Sequence, residues 1–226
     1  MLGEAAERMV PAGNAGDGGV LIHPDVLDAF QLLRSDAEKE GFDLRIRSGF
    51  RSFDGQLAIW NRKVRGELAV LDDHSKKIPV DTVHKRDLLC YILRWSALPG
   101  ASRHHWGTEI DYYAYNGFTV GGHIELVPDE YRDGGPCADA DRWLNAFIAE
   151  KMAHSFFKPY GCDRGGVHPE PWHLSWAPLA DHCQNALKAD LLLAKLQASP
   201  ILLKEFIVDA YPEIWSRFVV NVESSG

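Results

Sequence analysis

Ser102-Arg103-His104-His105-Trp106-Gly107-Thr108-Glu109-Ile110-Asp111-Tyr112-Tyr113-Ala114 is the stretch on which the reading of this 226-residue chain turns. Ile110, Tyr112 and Ala114 alternate as in a strand with one buried face, which turns Asp111 to the opposite face. Further along, Glu170-Pro171-Trp172-His173 opens a second strand expected over 171–176. Together the two blocks offer imidazoles and a carboxylate. A catalytic zinc takes three such protein donors, at about 2.0 to 2.2 Å, and keeps a fourth position for water. His104, Asp111 and His173 fill that set, and Glu170, three residues before His173, is placed to act as a base on the water. Were 104–111 one continuous strand, alternation would put His105, not His104, on the face of Asp111. Gly107 lies between them, and a glycine there marks a bend or bulge that resets the alternation, so either ring of the doublet could be the ligand.

Working outward, His23-Pro24 opens a helix to about Glu40, with Val26, Leu27, Phe30 and Leu33 on one face and Gly41 at its end. Leu44, Ile46 and Ser48 then alternate with Asp43, Arg45 and Arg47 as a strand. A helix is expected over 53–65 and another over 83–96, stopped by Leu98-Pro99-Gly100. Asp139 or Asp141 starts a helix through about Ser155. From Pro178 to Ala198 and from Pro200 to Val219 the pattern is again helical, with Ser199-Pro200 read as a cap followed by proline at the first helical position. Residues 1–20, rich in Gly and Ala, read as a mobile lead-in. Short strands interleaved with unequal helices, without regular β-α-β alternation, favour α+β. The expectation is one domain over 1–226, with 177–226 as a helical extension.

The two blocks resemble the zinc D-Ala-D-Ala carboxypeptidases of the VanX and VanY type, whose pattern is S-x-H-x-x-G-x-A-x-D followed by E-x-W-H. Ser48-Gly49-Phe50-Arg51-Ser52 with Gln56 matches the same family's S-G-Y-R-S-x-x-x-Q block, so the likeness runs from about Ile22 to Trp176. The resemblance implies that His104, Asp111 and His173 bind one Zn2+ per chain and that Glu170 is the general base. It further implies that Arg51 steadies the scissile carbonyl and the region of the substrate's terminal carboxylate. Gln56 and Ser102 are the matched polar positions that would orient the peptide end, and His105 is left beside the metal shell or in the cleft. His168 is a weaker candidate, more simply a loop residue. The implied fold is a small antiparallel sheet with flanking helices and the zinc cleft across the sheet face. Two positions depart from the pattern. Phe50 loses a hydroxyl, and Glu109 stands where the pattern has alanine. Two residues from Asp111 on a strand, Glu109 is expected on the same side, where it would alter the pocket's charge and substrate choice.

Composition narrows the function classes. A net charge of -8 argues against a nucleic-acid partner, whose binding depends on basic surface. No stretch approaches the roughly 20 apolar residues of a membrane span. The first residues lack the basic start and apolar run of a signal peptide, so the chain is expected in the cytoplasm as it stands, or in the periplasm or wall if an export signal has been removed. The four cysteines, Cys90, Cys137, Cys162 and Cys183, form no C-x-x-C pair and read most simply as thiols. The expected activity is hydrolysis of peptidoglycan stem peptides, foremost as a D-Ala-D-Ala carboxypeptidase. An L-Ala-D-Glu-type endopeptidase or an L,D-carboxypeptidase shares the same metal motif, and a catalytically silent zinc-binding module is the reading outside enzymes. The expected assembly is a monomer or homodimer.

Overall fold

The computed structural model describes residues 2–4, 6–13, 19–119 and 122–225. Four antiparallel strands form the central sheet in the order β3 (Leu44–Ser48), β4 (Glu109–Ala114), β6 (His173–Trp176) and β5 (Phe156–Phe157). The register pairs Asp111 with His173 and Glu109 with Ser175, so these four side chains share one face. Ile110, Tyr112 and Leu174 point to the other face. There they join Ile46, Phe30, Leu33 and Leu144 in a core closed by α1 (Pro24–Lys39) and α4 (Ala138–Ala149). The α+β architecture expected from the sequence is the one observed.

A second core lies apart from the first. Leu57 and Trp60 of α2 (Phe53–Val64) and Leu88, Leu89 and Ile92 of α3 (Lys85–Trp95) pack against Leu192, Leu196, Ile207 and Ile214. Those last residues come from the C-terminal helices α6 (Ala189–Ala198), α7 (Lys204–Asp209) and α8 (Tyr211–Ile214), which follow α5 (Ala177–Ala186). The helical extension therefore completes the hydrophobic interior of the segment that follows β3. Trp60 Nε1 donates to the Leu202 carbonyl at 3.1 Å, and Asn61 bonds both Pro200 O and Leu202 N.

Several boundaries differ from the sequence reading. Ser199 ends α6 and the next helix begins only at Lys204, after Leu203 at φ 62°, so Ser199-Pro200 does not start a helix. Cys137 is the N-cap of α4, with Asp139 and Asp141 inside its first turn. That helix stops at Ala149, because Lys151, His154 and Ser155 all adopt left-handed backbone. The described residues of the expected mobile lead-in are tied to the body: β1 (Val10–Pro11) pairs with β2 (Leu21–Ile22), and Phe53 N donates to Gly3 O. Residues 14–18 of that stretch lie outside the described residues. All four cysteines are free thiols, and only Cys137 is buried. Among the described residues no helix is long and apolar enough to cross a membrane.

Candidate metal centre

The site forms where the front face of the sheet meets the second core. Arg103–Trp106 coil into a 3₁₀ turn that ends at Gly107, φ 74°, and β4 begins two residues later. The left-handed glycine breaks the strand alternation and leaves His104, not His105, facing Asp111. A side chain at Gly107 would also collide with Met9. His104 Nε2 lies 3.4 Å from Asp111 Oδ2, and His173 Nδ1 lies 3.4 Å from Asp111 Oδ1. All three donors fall within 4.8 Å of one another and all three residues are buried.

The outer nitrogens of both rings are already engaged. His104 Nδ1 donates to the Gly49 carbonyl at 2.8 Å, and His173 Nε2 donates to Glu109 Oε2 at 2.8 Å. Gly49 can hold that place because β2 runs against it, and a Cβ there would meet the Leu21 carbonyl. With those protons outward, the lone pairs of His104 Nε2 and His173 Nδ1 can turn toward Asp111. Asp111 Oδ1 is buried without a hydrogen-bond partner, an expensive state unless a cation completes it. Tetrahedral zinc with bonds of about 2.0 to 2.1 Å spaces its ligand atoms by roughly 3.3 Å; each imidazole lies 3.4 Å from one oxygen of the Asp111 carboxylate, and the three donors fall within 4.8 Å, close enough to draw onto one ion. The residues present thus fit a zinc ion. Without a metal, burial opposes charge on His173, but Glu109, Glu170 and Asp111 outweigh it and raise the imidazole's pKa well above its ordinary value.

Around this set lies a cleft of about 200 Å³ lined by Arg51, Gln56, Ser102, Tyr160 and Glu170, among others. His173 N donates to Glu170 O at 3.0 Å, closing a tight turn that brings Glu170 Oε2 within 3.3 Å of His173 Nδ1. Arg51 donates to Gln56 Oε1 at 2.8 Å and to Ser48 Oγ at 3.2 Å. Gln56 is buried and spends its amide N–H on the Ala97 carbonyl, so it holds Arg51 in place as much as it faces the cleft.

The VanY D-alanyl-D-alanine carboxypeptidase family matches residues 19–179. This chain belongs to that family. It is accordingly a peptidase. Two uncharacterised proteins of Haemophilus influenzae are 31% identical over 126 residues, 54% of this chain and 93% of the relative, and 35% identical over 98 residues, 43% and 67%. Among solved structures, a VanY D,D-pentapeptidase mutant from a VanB-type resistance cassette, in complex with Zn(II), aligns at TM-score 0.50 and 19% identity. It covers 89% of this chain and 94% of that one. VanYB in complex with D-alanine-D-alanine aligns at 0.50 and 20%, covering 85% and 94%. The LdcB LD-carboxypeptidase aligns at 0.52 and 19%, covering 89% and 77%. These likenesses show a shared fold.

Within the VanY family fold, two positions behave otherwise than the motifs suggested. Glu109 does lie on the face of Asp111, but it is 0% exposed and does not line the cleft, so it adds no charge to the pocket surface. Instead it accepts from Arg103, His173, Ser175 and Thr108 beneath the metal set. His105 is turned away from the donors. Its Nε2 accepts from Gly100 N at 2.9 Å, which leaves Nδ1 to donate to the Arg51 carbonyl at 2.6 Å. Burial pushes its pKa down to about 4, so it is a neutral clamp on the loop that carries Arg51. His168 stacks on Trp95 at 4.1 Å and stands outside the donor set.

Three further residues carried no motif signal. Tyr160 packs its ring 5.1 Å from that of His173. Arg103 was visible only as a spacer inside the first block. Lys63, one of several basic residues near the end of α2, donates to Ser96 Oγ at 2.6 Å on the cleft wall. Burial lowers its pKa to about 8, although the Glu170 charge works the other way.

Proposed function

We propose that the chain is a zinc-dependent D,D-carboxypeptidase that removes the terminal D-alanine of peptidoglycan stem peptides. The observation that carries this reading is the convergence of His104, Asp111 and His173 on one point with Asp111 Oδ1 unpaired and Glu170 alongside. VanYB, a member of the same fold, is known in complex with D-alanine-D-alanine. A zinc ion held by these residues would polarise the scissile carbonyl and acidify a water beside it. Glu170 takes the proton of the attacking water and returns it to the leaving amine. Its turn on Tyr160 and His173 fixes it for both transfers. Arg51, braced by Gln56 and Ser48, directs its remaining N–H donors at the oxyanion and the substrate's terminal carboxylate. Ser102 lines the same wall and orients the peptide end. From Asp111 the front face of β4 continues to Tyr113, which lines a wider cleft of about 610 Å³ with Arg47, Tyr115 and Phe118. We assign the remainder of the stem peptide to that cleft.

The test is incubation of zinc-loaded protein with a panel of muropeptides, with products identified by mass, beside Glu170→Gln. Release of one alanine from a pentapeptide stem is expected. Glu170→Gln should keep zinc and its melting temperature and lose turnover by about 10² to 10⁴-fold. Alanine release from tetrapeptide stems alone would make the chain an L,D-carboxypeptidase, and a cut within the stem an endopeptidase. No cleavage of any stem peptide would leave a silent zinc-binding module. Loss of zinc in Glu170→Gln would make Glu170 a ligand in place of a base.

A further inference from the structure

We propose that Glu109, held by Arg103 and Ser175, is the positioning residue for the metal ligand His173: it fixes the ring so that Nδ1 faces the metal and strengthens that nitrogen as a donor. The inference rests on the zinc reading above and adds a residue that the family motif, with alanine there, does not supply. A wholly buried carboxylate is costly unless every lone pair is used. Glu109 is 0% exposed and accepts from five donor atoms. Arg103 offers a fork, Nε to Oε2 at 3.3 Å and Nη2 to Oε1 at 3.4 Å. Thr108 Oγ1 donates to Oε1 at 3.0 Å, Ser175 Oγ to Oε1 at 2.8 Å, and His173 Nε2 to Oε2 at 2.8 Å.

The arginine contacts are the longest of these, so the carboxylate is seated on His173 and Ser175 while Arg103 balances its charge from behind. Ser175 is two residues from His173 on β6 and opposite Glu109 in register, which ties both ends of the contact to one strand pair. Arg103 is itself held by Gln184 Oε1 of α5 at 2.9 Å and by Ser175 Oγ at 2.7 Å, and its guanidinium lies over the Trp106 ring. A plain buried ion pair would need no histidine. Here the imidazole sits between the pair and the metal set, and a carboxylate on the outer nitrogen of a metal-bound histidine fixes its tautomer, orients its ring and raises its basicity.

The experiment measures zinc affinity of metal-stripped protein by chelator competition, and thermal melting of the same metal-free samples. The proteins are wild type, His104→Ala, Glu109→Gln and the double variant Arg103→Met/Glu109→Gln. Glu109→Gln should bind zinc about 10 to 100-fold more weakly. It should also melt lower, because Arg103 is left as an uncompensated buried charge. The double variant, which removes both charges, should regain most of the melting temperature and none of the zinc affinity. A structural role alone would restore both together, and that result overturns the proposal. Nitrogen-15 spectra of zinc-loaded wild type should show the His173 proton on Nε2, and a proton on Nδ1 overturns it equally. If His104→Ala binds zinc as tightly as wild type, the metal reading of the site fails and takes this inference with it. If His104→Ala loses zinc while both Glu109 variants keep wild-type affinity, only the inference falls.

Discussion

Replacing His105 by Leu separates the two rings of the histidine doublet, and its magnitude follows from the structure. His105 is 1% exposed and answers two buried backbone groups, the Gly100 N–H and the Arg51 carbonyl. Leaving a buried polar group without a partner costs about 1 to 3 kcal/mol each, so His105→Leu should destabilise the fold by roughly 2 to 6 kcal/mol at pH 7.5. The difference should depend on pH. Below about 6.5 the unfolded imidazole takes up a proton that the buried one refuses until about 4. Wild type therefore has its full stability above 6.5 and loses part of it as pH falls from 6.5 to 4. Two and a half pH units at about 1.4 kcal/mol each give a loss on the order of 3 kcal/mol. The leucine variant has nothing to protonate at this position, so the gap between the two proteins should narrow by that amount across the interval. Urea unfolding of metal-free protein at pH 7.5, 6.0, 5.0 and 4.5 measures it. Zinc affinity should stay within a few-fold of wild type, while peptide hydrolysis falls because the Arg51 loop has lost its clamp. A gap that does not change with pH, or a zinc loss as deep as that of His104→Ala, would refute the assignment of the doublet.

Two further outcomes are expected. Lys63→Met should raise KM for stem peptides with a free terminal carboxylate more than for amidated ones; in wild type the same KM should climb as pH rises through about 8, where Lys63 gives up its charge, and in the variant that climb should be absent. Truncation after Ala186 should abolish cooperative unfolding by circular dichroism and cost zinc affinity as well, because it strips Leu192, Leu196, Ile207 and Ile214 from the core that supports α2 and Gln56; a truncated chain that melts like the full one would make the C-terminal helices an accessory.

The donor set was legible only in part from residue types and spacing: the alternation of Ile110, Tyr112 and Ala114 set the face of Asp111, but the choice of His104 over His105 came from the resemblance to the family motif. The fold brings His104, Asp111 and His173 within 4.8 Å of one another, with Asp111 and His173 on paired strands. Periodicity also showed that residues after Pro178 form helices with an apolar face. It could not show what that face packs on, since the partner, α2 and α3, lies more than ninety residues earlier in the chain. The same gap explains Ser199-Pro200. The local signal for a helix start was sound, but Asn61 takes the Pro200 carbonyl and the Leu202 N–H, and tertiary contacts set the start at Lys204. Lys63 and Tyr160 have no motif, and only the fold sets Lys63 against Ser96 of the cleft wall and Tyr160 in the cleft lining.

Glu109 shows how far alternation reaches and where it stops. A two-residue period puts Glu109, Asp111 and Tyr113 on one face, as observed, but says nothing of depth, and depth decides what each does. The 3₁₀ turn folds Arg103 over the start of β4, so the carboxylate nearest the turn is sealed beneath the metal set while the next one borders the cleft. The formal charges then fit together. Glu109, Asp111 and Glu170 set three negative groups against the two guanidiniums of Arg103 and Arg51 and, below about pH 8, the Lys63 ammonium behind the cleft wall, and the raised pKa of His173 adds a proton when no metal is bound. Exchanging that proton for a divalent cation raises the charge of the cluster by one. A cleft so charged, in a protein of net charge -8, attracts the anionic end of a peptide where the rest of the surface repels it.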